Sequence, residues 1–269
     1  MLLSQRFKLV YVLRVWQKRI LRFFIWIIDK NKYCKKNSGI KLPYRVEKHQ
    51  SVLIRRLGNS DIHLQYNKVT NLKIAASKID GIIIKPGETF SFWKTVGWTS
   101  KRRGFKEGMF LSRGEVKTGV GGGLCQMSNL IYWMILHTPM EIIERYRHSF
   151  DPFPDSGRVL PFGSGASVFY NYIDLRFKNT TQHNFQIKIY FDDKYIKGEI
   201  LADYPIPFTY HVFERNHQFI QKGEKYYREN EIWREVIDKT TGNKIREELL
   251  IKNYCEVKYE IENAESAGA

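Results

Sequence analysis

The stretch GVGGGLCQMSNLIYWMILHTP, residues 119–139, constrains the fold more than any other part of this chain. Leu124, Met127, Leu130, Ile131, Met134 and Ile135 recur at the spacing of one buried helical face, and His137, Thr138 and Pro139 end it. So apolar a helix belongs in a core, with strands packed on it from both flanks. The glycines before it cost more conformational entropy than any other residue, so such a run is kept where backbone turns sharply or approaches another group closely. Cys125 falls in the first helical turn, where unpaired N–H groups and the positive end of the helix dipole favour a thiolate. The amides of Gly121, Gly122 and Gly123 lie beside that sulfur, and such donors are what an oxyanion needs. The stretch therefore predicts an exposed and activated nucleophile.

A thiolate nucleophile wants a base, itself held by a third group. His148, in IERYRHSFDPFPDSG, is positioned to act as general base and then acid, with Asp151 or Asp174 as alternative orienters of its ring. His137 is excluded, because twelve residues along a continuous helix put it roughly 18 Å from Cys125. Asn129 shares the helical face of Cys125 while Gln126 points about 100° away. Gln126, Ser128 and Asn129 are candidates for substrate binding, against the alternative that Asn129 only satisfies backbone where a loop meets the helix.

The flanks are mixed. Val69, Leu72, Ala76 and Ile79 lie on one face of a helix that Gly81 ends, and Ile82, Ile83 and Ile84 read as a short strand. After the Pro86 and Gly87 turn, ETFSFWK favours extended backbone. From residue 166 to 200 the pattern becomes strand-like, in ASVFYNYIDLRF and NFQIKIYF. The segments TYHVFE, KYYRENEIWREVID and KIREELLIKNYCEVKYEI continue it, the last two joined by a TTGN turn that signals a hairpin. The expected fold class is α+β. Residues 1–50 are expected as a basic amphipathic helix with a connector, 51–202 as the core domain, 203–262 as a β-rich module and 263–269 as a tail.

Net charge is +16, with Lys and Arg spread along all 269 residues and densest before residue 50. That excess asks for an anionic membrane or wall polymer. Without zinc-finger spacing or a compact basic and aromatic constellation, no nucleic acid is expected. Residues 4–28 mix Lys and Arg with aromatic and aliphatic residues. Their longest apolar run, residues 23–28, is far short of the roughly 20 residues a bilayer span needs. They read either as a helix on anionic lipid or as one that packs its apolar side on the domain with its cations in water. No signal-peptide pattern stands out, which favours a cytoplasmic or membrane-surface location. Cys34, Cys125 and Cys255 are too scattered for a disulfide framework or a metal site, and no cofactor is expected.

The blocks PGETFSFW (86–93), GGGLCQMSNLIYWMILHTP (121–139), ERYRHS (144–149) and DLRFKNTTQHNFQIKIYFDD (174–193), with the closing VIDKTTGN, resemble the VanW family. The resemblance implies a link to glycopeptide resistance. Some larger proteins with this domain are understood to be cysteine-dependent L,D-transpeptidases of peptidoglycan. Carried over, the family's cysteine is Cys125 and its histidine is His148, while Tyr146 stands where many members have a second histidine. On that basis Cys125 would attack the carbonyl of an L,D peptide bond in a stem peptide and form a thioester as the terminal D-residue leaves, and an amine of a second stem would resolve it. The partner implied is a peptidoglycan stem peptide or precursor. The alternative is a non-catalytic accessory that binds such a precursor or a resistance enzyme, with Cys125 structural and the glycines serving close helix packing.

Overall fold

The computed structural model describes residues 8–35, 39–54, 61–112, 115–147, 150–151, 159–259 and 261. Helix α1 (Lys8–Ile28) precedes a mixed core. The central sheet has the order β2-β11-β10-β3, from Tyr44–Val52, Tyr195–Ala202, Phe185–Phe191 and Ile82–Ile84, every pair antiparallel. Pairing of His49 with Gly198 and Glu47 with Ile200 carries β2 across the boundary expected at residue 50. The segment assigned to a connector is thus an edge strand of the core sheet.

A second sheet runs β1-β4-β9-β7, from Lys32–Tyr33, Glu88–Ser91, Arg176–Lys178 and Glu141–Glu144. Strands β5 (Glu107–Ser112) and β6 (Glu115–Val120) form a hairpin. Two expected extended stretches differ. Phe92 opens a short helix, α3 (Phe92–Val96), because the Ser91 side chain accepts from the Lys94 amide and caps it. Of residues 166–178 only β9 is a full strand; the preceding backbone makes isolated bridges, Tyr146 with Ser167 and Phe169 with Ile173.

Helix α2 (Ile62–Ile79), capped by the Asp61 side chain, and helix α4 (Cys125–Leu136) complete the core. Met127, Leu130, Ile131, Met134 and Ile135 are buried as the periodicity predicts. Gly198 of β11 lets α4 approach: a Cβ there would stand 2.5 Å from the Met134 methyl carbon. The α+β expectation holds. The chain ends in a long antiparallel ribbon, β12 (Phe208–Lys222), β13 (Lys225–Asp238) and β14 (Lys244–Val257), with β8 (Phe150–Asp151) added parallel to β14. Val212 and Ile232 at the base of the ribbon join the same hydrophobic core as α4. Arg234 ties the ribbon to the C-terminal end of α4, donating to the Leu136 and Thr138 carbonyls at 3.0 and 3.1 Å.

Helix α1 docks by a mixed face that carries Arg19, Arg22 and Trp26. Arg22 is buried and donates both terminal nitrogens to Glu144 at 2.7 and 2.5 Å, and to the Tyr172 carbonyl at 3.2 Å. Arg176 links Glu144 to Asp29 just beyond the helix, at 3.4 and 2.6 Å. Arg19 donates to the Tyr170 carbonyl and lies over the rings of Trp16 and Trp98. Packing of the apolar side on the domain, one of the two arrangements anticipated, is the reverse of what forms.

Candidate functional site

The glycine turn between β6 and α4 is shaped by its neighbours. Gly123 has φ +90°, and a Cβ there would lie 2.2 Å from Lys68 of α2. At Gly122 a Cβ would lie 2.0 Å from the Gly108 carbonyl oxygen of β5. Buried Asn71 staples the turn: its amide group donates to the Gly122 and Lys106 carbonyls at 2.9 and 3.0 Å, and its Oδ1 accepts from the Lys106 amide at 2.8 Å. Nothing in the residue spacing marked Asn71, because a lone Asn in a helical pattern carries no local signal. Of the three amides expected to hold an oxyanion, Gly121 donates to Lys106 O at 2.9 Å and Gly122 to Gly119 O at 3.0 Å. Protein carbonyls already occupy those two donors, and of the three only the Gly123 amide has no backbone carbonyl partner among the described residues. The glycines serve close packing of the hairpin and α2 against α4.

Cys125 is the first residue of α4. Its sulfur donates to the Val168 carbonyl at 3.7 Å, and burial pushes the thiol up rather than down. The residue keeps partial exposure, yet the sulfur itself is enclosed by protein. Burial here opposes the thiolate that the helix position favours.

The neighbouring polar residues follow the 3.6-residue period. Ser128 is fully buried and donates to the Ala166 and Cys125 carbonyls at 2.6 and 3.1 Å. Asn129 Oδ1 accepts from the Ala166 amide at 2.7 Å. Cys125, Ser128 and Asn129 therefore all grip the backbone of residues 166–168. Gln126, on another face, donates to Ser51 Oγ and Val52 O at 2.9 and 2.7 Å and fastens α4 to β2.

His148 lies outside the described residues. Asp174 is fully buried and accepts from Ser91 Oγ (2.6 Å), the Trp93 amide (3.1 Å) and the Leu175 amide (2.9 Å). Those three donors make it an anchor for α3. Asp151 accepts from Arg228 at 3.1 Å and from the Tyr259 hydroxyl at 3.0 Å, which ties β8 to the ribbon. Among the described residues no group of His, Cys, Asp and Glu could hold a metal ion.

Asn129 and Asp151 both line a pocket of about 220 Å³, as do Arg145, Arg147, Phe162, Ser164 and Ser167. Arg145 donates to the Gly165 carbonyl at 2.8 Å and to the Gly163 carbonyl; Arg147 donates to Asn253 Oδ1 at 3.2 Å and the Tyr254 carbonyl at 2.8 Å. Every one of these partners is neutral, and neither guanidinium pairs with a carboxylate among the described residues. Burial and the nearby Arg147 charge lower the Arg145 pKa, as expected of a cation without a counter-ion. Ser167 Oγ is buried with no hydrogen-bond partner among the described residues. The two arginines stand two apart just beyond β7, the spacing that puts extended side chains on one side, and that was the signal available in RYR.

A family model described as "VanW like protein" matches residues 67–201. The chain is 34% identical over 257 residues to the "Vancomycin B-type resistance protein VanW" of Enterococcus faecalis, covering 96% of this chain and 94% of that protein. It is also 34% identical over 119 residues to the "Uncharacterized protein YoaR" of Bacillus subtilis, covering 44% of this chain and 37% of the relative. No solved structure matches.

Proposed function

Because the chain belongs to the VanW family, we propose that it serves vancomycin resistance as a binding protein for a peptidoglycan stem peptide or precursor. The observation that carries this reading is the pair of guanidiniums, Arg145 and Arg147, lining one pocket without an acidic partner among the described residues. A carboxylate is the group that such donors recognise in two-pronged geometry. Ligand pockets commonly run to roughly 300–1,000 Å³, so 220 Å³ suits one end of a peptide, its terminal residue and carboxylate, rather than the whole molecule. Ser167 Oγ and Asn129 offer hydrogen bonds beside it.

Isothermal titration with a synthetic stem pentapeptide and with its C-terminal amide tests the reading. The free acid is expected to bind, and the amide at least about tenfold more weakly, the scale of one charge-assisted hydrogen bond. Arg147→Ala should lower affinity for the acid comparably, and Cys125→Ala should leave it unchanged. Equal binding of acid and amide, or none at millimolar peptide, defeats the proposal.

A second reading, acyl transfer by Cys125, draws on one observation: the cysteine opens a helix straight after a turn with positive φ at Gly121 and Gly123. For it to operate, the Val168 carbonyl must release the thiol and His148 must reach it. In the same titration samples, mass spectrometry would then find a peptide-sized thioester on Cys125 that Cys125→Ala removes. An unmodified chain with intact peptide binding leaves the binding reading standing alone.

A further inference from the structure

We infer that helix α1 is a membrane-contact element that lays its outward face into the surface of an anionic lipid leaflet. Leu13, Trp16, Ile20, Phe23, Phe24 and Ile27 are all exposed, with Leu13 at 61% and Ile27 at 63%. At 100° per residue these six fall within about 100° of the helix circumference. Arg19, Arg22 and Trp26 face the domain instead, and Arg22 is locked there by Glu144. The helix is thus held by a mixed face that carries Arg19, Arg22 and Trp26 and presents its most apolar face to solvent, the reverse of an ordinary surface helix.

Such a face is costly in water and needs an occupant. Two features beyond the face itself select lipid. Trp98, from the loop after α3, is 41% exposed and stacks on Trp16 with ring centroids 6.2 Å apart, so the aromatic surface continues onto the core. Directly after Trp98 comes an exposed basic turn, Lys101–Arg103, and Arg14 and Lys18 are exposed along one flank of the helix. Apolar and tryptophan side chains ringed by cations match a leaflet whose hydrocarbon starts just beneath anionic headgroups. A second copy of a chain carrying +16 would bring like charge against like. No described helix is long and apolar enough to cross a membrane, so the contact is in-plane, with the apolar face about 5–10 Å into the headgroup boundary.

The test is flotation of the full chain with phosphatidylcholine vesicles, with and without about a third phosphatidylglycerol. Binding is expected to the anionic vesicles, to weaken with salt, and to drop at least about tenfold in both Ile20→Glu and Phe24→Glu. Both positions are exposed, and circular dichroism checks that the variants fold. Sedimentation of the free chain runs alongside. Failure to float, or flotation indifferent to both substitutions, overturns the inference. So does a dimer that Ile20→Glu dissociates while vesicles remain unbound, which would assign the face to a second copy.

Discussion

A Cβ on Gly122 would stand 2.0 Å from the Gly108 carbonyl oxygen and 2.1 Å from its carbon. Both are backbone atoms of a paired hairpin, so neither can swing aside as a side chain would. Gly122→Ala is therefore expected to cost about 3 kcal/mol or more, near the top of the overpacking range. Gly87 makes a clean control. It has the positive φ that Gly122 lacks, and nothing lies within 4 Å of its Cβ position, so Gly87→Ala should cost only the roughly 1–2 kcal/mol of a left-handed residue. Chemical denaturation of both variants checks the difference, and a loss at Gly122 no larger than at Gly87 would show that the hairpin yields to the added methyl group. The same residue-scale view explains Cys125. Its position at a helix start was legible, but the carbonyl of Val168 that encloses it comes from 43 residues away.

Helix α1 is attached mainly through side chains, and that makes its docking breakable at one point. Arg22→Ala removes the bidentate pair to Glu144, whose remaining partner is Arg176 at 3.4 Å. Breaking a buried pair from one side costs about 3–5 kcal/mol. The loss should appear as release of the helix from the core: amides of residues 8–28 would exchange hydrogen far faster while those of α4 keep their protection. Arg22→Lys should restore little, since an ammonium cannot reach both Glu144 oxygens and the Tyr172 carbonyl in the same geometry. Unchanged exchange in α1 would mean that Trp26 and the Arg19 stacking hold it unaided.

Across the whole molecule, one buried acid ties stability to pH. Burial pushes the Asp174 carboxyl up to about 7 from its ordinary 3.8, despite the donors from Ser91 and Trp93 that favour its charged form. The folded chain then holds this proton more tightly than the unfolded one. Its contribution is complete below about pH 4 and is lost as pH rises through 7. Relative to Asp174→Asn, the stability of the native chain should fall between pH 4 and 7 by up to roughly 1.4 kcal/mol per pH unit. Denaturant titrations of both proteins at several pH values measure this, and parallel curves would show that Asp174 is ionised in the fold throughout.

The features legible in the amino-acid order are local or periodic. Helix α4, the strand Ile82–Ile84, the hairpin joining β13 and β14 and the family blocks all follow from residues within one element of each other, because helical and strand periods and turn chemistry are short-range. Sequence order also placed Asn129 with Cys125 and turned Gln126 away. The tertiary structure alone decided what those groups do. Strand β2 became part of the core by pairing with β11, some 150 residues on. Two amides of the glycine turn were taken by carbonyls, Asp174 was claimed by Ser91 and Trp93, and Arg145 and Arg147 were set around one pocket. Hydrogen-bond partners and burial come from contacts distant in sequence, and it is these that decide whether a thiol is reactive, an arginine unpaired or an apolar helical face exposed.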